Sequence, residues 1–241
     1  MLKILFSPSE GKNSGGNSIY KELLGASNAR EEILDSYNSI ILSKDEQNIK
    51  TLFGIKKFTE CEKYIEDIYH TSYMPAIERY QGVAYDYLQY QTLSLEQQLY
   101  LKKNTLIFSN LYGPIYGGDT IANYKVKQGN SIGHIKPEQY YKQRFTYQLD
   151  LLLSQDDILD LRAGYYDKFY KVTKPYITLK FLKNGKTVSH WAKAYRGIVL
   201  KEVAKANIQN IQEFMHLDIN GLKVQEIKVI KNKTEIIYNI L

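Results

Sequence analysis

The segment that most constrains this chain is Thr105–Gly129, where a buried-strand pattern, TLIFSNL, runs directly into SNLYGPIYGGDTIANYKVKQG. A short apolar run bounded by turn residues reads as a core strand. The loop that follows contains Gly113, Pro114, Gly117 and Gly118 before it turns basic. Ordering paired glycines costs more backbone entropy than ordering other residues, so such a loop serves a close approach or a shaped surface. Loops at the ends of core strands gather binding groups. The expectation is a strand whose exit loop forms part of a site.

The rest of the chain alternates strand and helix patterns. Leu2–Ser7 is a short apolar strand followed by the polar loop Ser7–Ser18. Residues 29–42 carry Ile33, Leu34, Tyr37, Ile40 and Ile41 at helical spacing. Ser43 with Glu46, Thr59 with Glu62, and Ser94 with Gln97 have capping-box spacing and open three further helices. The first ends at Gly54, the second runs toward Tyr69 and the third reaches Lys103. Pro75–Gly82 reads as extended, and Pro137 suits the first turn of a long helix. Ile158–Arg162 is a strand. Tyr176–Lys183 and Lys186–His190 flank Asn184-Gly185, the strongest short hairpin signal. A helix from Trp191 to Ala206 and a final pair, Leu222–Ile230 with Thr234–Leu241, complete the pattern. No linker or internal repeat interrupts it. The expected class is α+β: one domain over residues 1–241, with a mixed sheet and flanking helices.

Composition narrows the function classes. No apolar run approaches the roughly 18 residues needed to cross a bilayer, and the start MLKILFSPSEG reads as a strand, so a cytoplasmic address with no membrane partner is expected. Cys61 is the only cysteine, which excludes an intrachain disulfide. The four histidines are scattered, so no metal site or cofactor is expected. The balance of 32 Lys+Arg against 26 Asp+Glu, net +6, permits nucleic-acid or nucleotide binding. Nothing in it points to a protein partner.

Three constellations carry possible chemistry. In IKTLFGIKKFTECEKYI, two short helices joined by a turn at Gly54, Ile55, Lys56 and Lys57 have the form of a helix-hairpin-helix spanning about 44–70. The free N–H groups of such a turn and its two lysines suit phosphate contacts, which hold a backbone without reading bases. The alternative is that Gly54 caps a helix against its neighbour. In SHWAKAYRG, Lys193 and Arg196 are three apart and share a helical face, and Gly197 marks a close approach. The strand-end loops supply the rest: Ser7, Glu10 and Lys12; Tyr112, Asp119 and Lys125; and Lys168. Glu10 and Asp119 are the candidates to handle protons, and no catalytic triad spacing is present.

The strand followed by SPSEGK, then YQGVAYDYL, SNLYGPIYGGDTIANYKVKQG, DLRAGYYDKFY and SHWAKAYRG together resemble the YaaA family of peroxide-stress proteins, in family order and over nearly the whole chain. The resemblance implies a cytoplasmic bacterial protein that limits peroxide damage by keeping free intracellular iron low. It also implies a helix-hairpin-helix and a positively charged cleft that binds double-stranded DNA. Two functions follow as expectations. One is a DNA-binding stress protein. The other is an enzyme acting on a nucleobase or nucleotide in a pocket formed by the strand-end loops.

Overall fold

A computed structural model describes residues 1–19, 23–24 and 27–241. In chain order its strands are β1 (Leu2–Phe6), β2 (Gly11–Lys12), β3 (Tyr73–Pro75), β4 (Tyr80–Gln81), β5 (Thr105–Ser109), β6 (Gly113–Tyr116), β7 (Thr120–Ala122), β8 (Asp157–Asp160), β9 (Tyr176–Lys183), β10 (Lys186–Thr187), β11 (Leu222–Ile230) and β12 (Lys233–Ile240). Its α-helices are α1 (Glu31–Leu42), α2 (Glu46–Phe53), α3 (Ala76–Arg79), α4 (Val83–Leu88), α5 (Leu95–Asn104), α6 (Pro137–Leu152), α7 (Ser189–Lys205) and α8 (Ile211–Met215).

One mixed sheet organises the molecule, in the order β11-β12-β9-β8-β1-β5-β6, with β10 added beside β9. The five central strands, β12 through β5, are mutually parallel, and antiparallel strands flank them. Parallel strands are covered on both faces and read as continuous apolar runs. Accordingly, every residue of β1 and β5 is buried. The α+β class with a mixed sheet therefore holds, around a parallel centre.

Strand order creates the site. Chain leaving β1 travels to β5 on one side, whereas chain leaving β8 travels to β9 on the other. Loops that diverge from adjacent parallel strands open a crevice at the strands' carboxyl ends. Ser7–Glu10 forms one lip of that crevice and Leu161–Tyr166 the other.

Local signals placed many elements well. Ser94 and Gln97 form a reciprocal capping box at α5, and Pro137 is the first residue of α6. Asn184 and Gly185 both have positive φ between β9 and β10, as a tight hairpin requires. Three expectations are corrected. Asp45, not Ser43, caps α2, its carboxylate accepting the Asn48 N–H at 3.0 Å. Pro75–Gly82 is not extended throughout but contains α3. The helix expected from Thr59 toward Tyr69 is a pair of 3₁₀ turns, Phe58–Glu60 and Glu62–Tyr64.

Helix α7 packs on α4, α5 and β9. It meets α4 at Gly197, where an added Cβ would collide with the Ala84 carbonyl oxygen. The backbones touch because no side chain separates them. Gly197→Ala sets alanine's helix preference, worth about 1 kcal/mol, against overpacking, which costs about 1–3 kcal/mol where the obstacle is backbone. The expected outcome is net destabilisation, read as a lower urea midpoint with an unchanged m value. A raised midpoint would show that the two helices are free to separate.

Candidate anion site at the switch point

The crevice encloses about 380 Å³. Phe6, Pro8, Val83 and Leu161 supply apolar wall, while Ser9, Glu10, Gln128, Lys193 and Arg196 supply polar groups. Four segments distant in sequence thus meet: the exits of β1 and β8, the start of α4, and one face of α7. The end of the glycine-rich loop closes the fifth side through Gln128.

Hydrogen bonds hold the two lips together. The Ser7 hydroxyl accepts the Ala163 N–H at 2.8 Å, and the Ser7 carbonyl accepts the Tyr85 hydroxyl at 2.9 Å. Below the β8 lip, Arg162 donates to both carboxylate oxygens of Asp160, at 2.9 and 2.7 Å. Its other terminal nitrogen donates to the carbonyls of Tyr166 and Tyr170, at 3.1 and 2.9 Å. The guanidinium also lies over Phe108, 4.5 Å from the ring centre. Both charged side chains are buried. Although burial opposes the Arg162 cation, the Asp160 carboxylate more than offsets this and raises its pKa above the usual value.

Glu10 sits at the mouth. Partial burial pushes its carboxyl up, but the Gln128 N–H (3.2 Å) and the Lys125 ammonium (3.1 Å) together hold it below the usual carboxylate range. Lys12 lies beneath this lip, its ammonium bonded to the carbonyls of Ser9 and Glu10 at 3.0 and 3.2 Å. It faces the Tyr124 ring, 3.9 Å from the centre. Burial, reinforced by Lys125, pushes the Lys12 ammonium well below the usual lysine range, while Glu10 opposes that shift. Lys12 therefore anchors the loop and does not line the crevice.

Arg196 differs from every other cation here. It is half-buried on α7, and no described residue gives it a hydrogen bond or an ion pair. Burial lowers its pKa and Asp160 opposes that shift, but the Asp160 carboxylate is already bound by Arg162. An arginine stays protonated regardless. Lys193, one turn earlier, is exposed at the rim and equally unpaired among the described residues. The crevice thus carries a positive charge that no described residue pairs with directly, and an anion would do so.

The other sequence candidates are distributed as follows. Ser7, Glu10, Lys193 and Arg196 reach the crevice directly, and Lys125 reaches it by holding Glu10. Lys168 is exposed on the 164–168 turn, 4.8 Å above the Tyr165 ring. Tyr112 is corrected: it is a core residue, 1% exposed, its hydroxyl accepting the Ala122 N–H at 3.3 Å. Asp119 is also corrected. Because β6 runs antiparallel to β5, the turn after it returns to the start of β5, at the opposite end of the sheet. There the Asp119 carboxylate accepts the N–H groups of Tyr116 and Leu24, at 2.9 and 3.4 Å. Of the two proton-handling candidates, Glu10 alone is in the site.

Gly54 caps α2 in the left-handed conformation, the Ile55 N–H donating to the Lys50 carbonyl at 3.1 Å. A Cβ there would collide with the Lys127 side chain, so the cap also docks α2 against the segment preceding Gln128. Lys56 and Lys57 are exposed beside it and Ile55 is half-buried. Sequence reasoning missed Val83, Tyr85, Gln128 and Tyr166. The YQGVAYDYL and DLRAGYYDKFY motifs pointed to the right segments, but not to their inward faces. Among the described residues, no three His, Cys, Asp or Glu side chains are grouped closely enough to hold a metal ion. No described helix is long and apolar enough to cross a membrane.

The parallel-centred mixed sheet thus carries a crevice at its switch point into which Lys193 and Arg196 reach. Comparison with known sequences gives the family. The family model described as peroxide stress protein YaaA matches residues 2–228, and the chain belongs to that family. It is 44% identical to an uncharacterized protein of Campylobacter jejuni, with the whole of both chains covered. It is 32% identical to a UPF0246 protein of Corynebacterium efficiens, over 84% of this chain and 85% of that one. A UPF0246 protein of Fusobacterium nucleatum is 26% identical, over 93% and 94% of the two chains.

The Asp160–Arg162 pair supports the lip that faces Arg196. Removing one member of a buried ion pair strands the other and costs about 3–5 kcal/mol. Asp160→Asn should therefore destabilise the protein by that amount in chemical denaturation. A loss under about 1 kcal/mol, the scale of exposed pairs, would show that the pair does not carry the lip.

Proposed function

We propose that this chain is a peroxide-stress protein that binds double-stranded DNA through the phosphate backbone, with the α7 face of the crevice as the principal contact. The observation that carries the reading is Arg196, a half-buried guanidinium with no partner among the described residues, beside the unpaired Lys193. Holding a cation partly out of water without a counter-charge is unfavourable, and a phosphate oxygen is the acceptor that guanidinium geometry matches best. The lysines at 56, 57, 127 and 168 are exposed, Lys127 beside the lining residue Gln128 and Lys168 on the turn that holds the lining residue Tyr166. In this reading the Gly54–Lys57 turn contributes through its two exposed ammonium groups. Its second arm lacks the α-helix of a full hairpin.

Membership of a peroxide-stress family supports a role in oxidative stress. The resemblance adds a cytoplasmic address and lower free intracellular iron as its physiological effect.

Binding of a labelled duplex between 50 and 200 mM salt tests the reading. Log affinity should fall linearly with log salt, with a slope of about −0.9 per phosphate neutralised. The double variant Lys193→Ala/Arg196→Ala should flatten that slope by about two. Lys56→Glu/Lys57→Glu, measured alongside, shows whether the α2 turn shares the contact. Unchanged affinity and slope in the α7 variant would remove the crevice from DNA binding.

A further inference from the structure

Phosphate contacts at Lys193 and Arg196 leave the rest of the crevice unused. A duplex lying on the rim leaves a recess of about 380 Å³, near the lower end of the small-ligand range. That recess has a definite chemistry. Its lining includes the apolar side chains of Phe6, Pro8, Val83 and Leu161 and the cation Arg196. It also includes groups with unused hydrogen-bonding capacity. The Ser9 hydroxyl and the Gln128 side-chain amide have no partner among the described residues. Each Glu10 carboxylate oxygen accepts one hydrogen bond, from Gln128 N–H or from Lys125, and retains a second lone pair.

A ligand matching all three features has an anionic group at one end, a flat apolar body, and a polar edge that includes an N–H donor. We infer that the crevice holds a single nucleotide with an amino-bearing base, its phosphate on Arg196 and Lys193. The base lies against the apolar wall, and its exocyclic amine faces Glu10 and Gln128. Gln and Glu are the side chains suited to such edges, Gln pairing with adenine and Glu accepting an amine. The nucleotide could be free or could be an unpaired nucleotide of a DNA strand, since enzymes and receptors that engage a base take it out of the stack. Only the strand-borne form rests on the DNA reading above.

Trp191, the only tryptophan in the chain, lies on α7 one residue from Lys193's neighbour Ala192 and is 40% exposed. Its fluorescence gives a label-free readout, checked by calorimetry. The probes are adenosine 5′-monophosphate, adenosine, inorganic phosphate, a fully paired DNA duplex, and the same duplex with one bulged adenosine. Adenosine 5′-monophosphate, the bulged duplex, or both should bind more tightly than adenosine, phosphate or paired duplex. Arg196→Gln should weaken that binding about 10- to 100-fold, while Arg196→Lys retains part of it. Unchanged thermal unfolding of both variants excludes misfolding. Binding of the mononucleotide alone assigns a free ligand, and binding of the bulged duplex alone assigns a strand-borne one. If neither binds better than the controls, or if Arg196→Gln leaves binding unchanged, the inference is overturned. Should the paired duplex still bind with its salt slope intact, the DNA reading survives that failure.

Discussion

Strands β1 and β8 lie side by side in parallel while their exit loops diverge to opposite halves of the sheet, and the crevice exists because of that adjacency. Both strands are almost entirely buried, so the hydrophobic core fixes where the lips stand. The lips are then locked to one another by Ser7, whose hydroxyl and carbonyl bind the β8 lip and α4 respectively. Gly197 lets α7 approach closely enough to bring Arg196 over the opening. Core, lips and helix form one mechanical chain from sheet order to site.

Charges around the crevice are sorted by how each is satisfied. Arg162 is buried and bidentately paired, Lys12 is caged by carbonyls and a ring face, and Lys125 is bound to Glu10. Each serves to hold a loop. Among the described residues lining the crevice, Arg196 is the cation partly withdrawn from water without a hydrogen-bonded or ion-paired partner, and this asymmetry separates a binding group from positioning groups. Asp160 attracts Arg196 through space, while the hydrogen bonds of that carboxylate go to Arg162.

Elements with strong local signals were legible in the sequence. The strand Thr105–Ser109, the Asn184-Gly185 hairpin, the capping box at Ser94 and the start of α6 at Pro137 all depend on neighbours within a few residues. The site was legible only in part. Lys193 and Arg196 were readable as a pair on one helical face, but whether a partner waits across the fold is a tertiary fact. Asp119 was misplaced because the loop reverses direction at β6, and nothing local reveals at which end of the sheet it finishes. Tyr112 looked available, yet it belongs to a buried group in which Tyr80, Tyr124 and Ser109 share hydroxyl contacts of 2.8–2.9 Å. The glycines of the long loop serve packing. Gly113 has positive φ with the Tyr141 ring where a Cβ would stand, and Gly117 and Gly118 lie against Lys102. Only the loop's end, at Lys125–Gln128, serves the site.

Arg196, unpaired among the described residues, is poised for an oxyanion. A crystal structure of the protein soaked in tungstate, whose anomalous scattering locates the ion without ambiguity, tests it most directly. An anomalous peak is expected within hydrogen-bond distance of the Arg196 guanidinium, inside the crevice between the β1 and β8 lips. An Arg196 side chain bonded to a protein carboxylate or carbonyl, with no peak in the crevice, would contradict it.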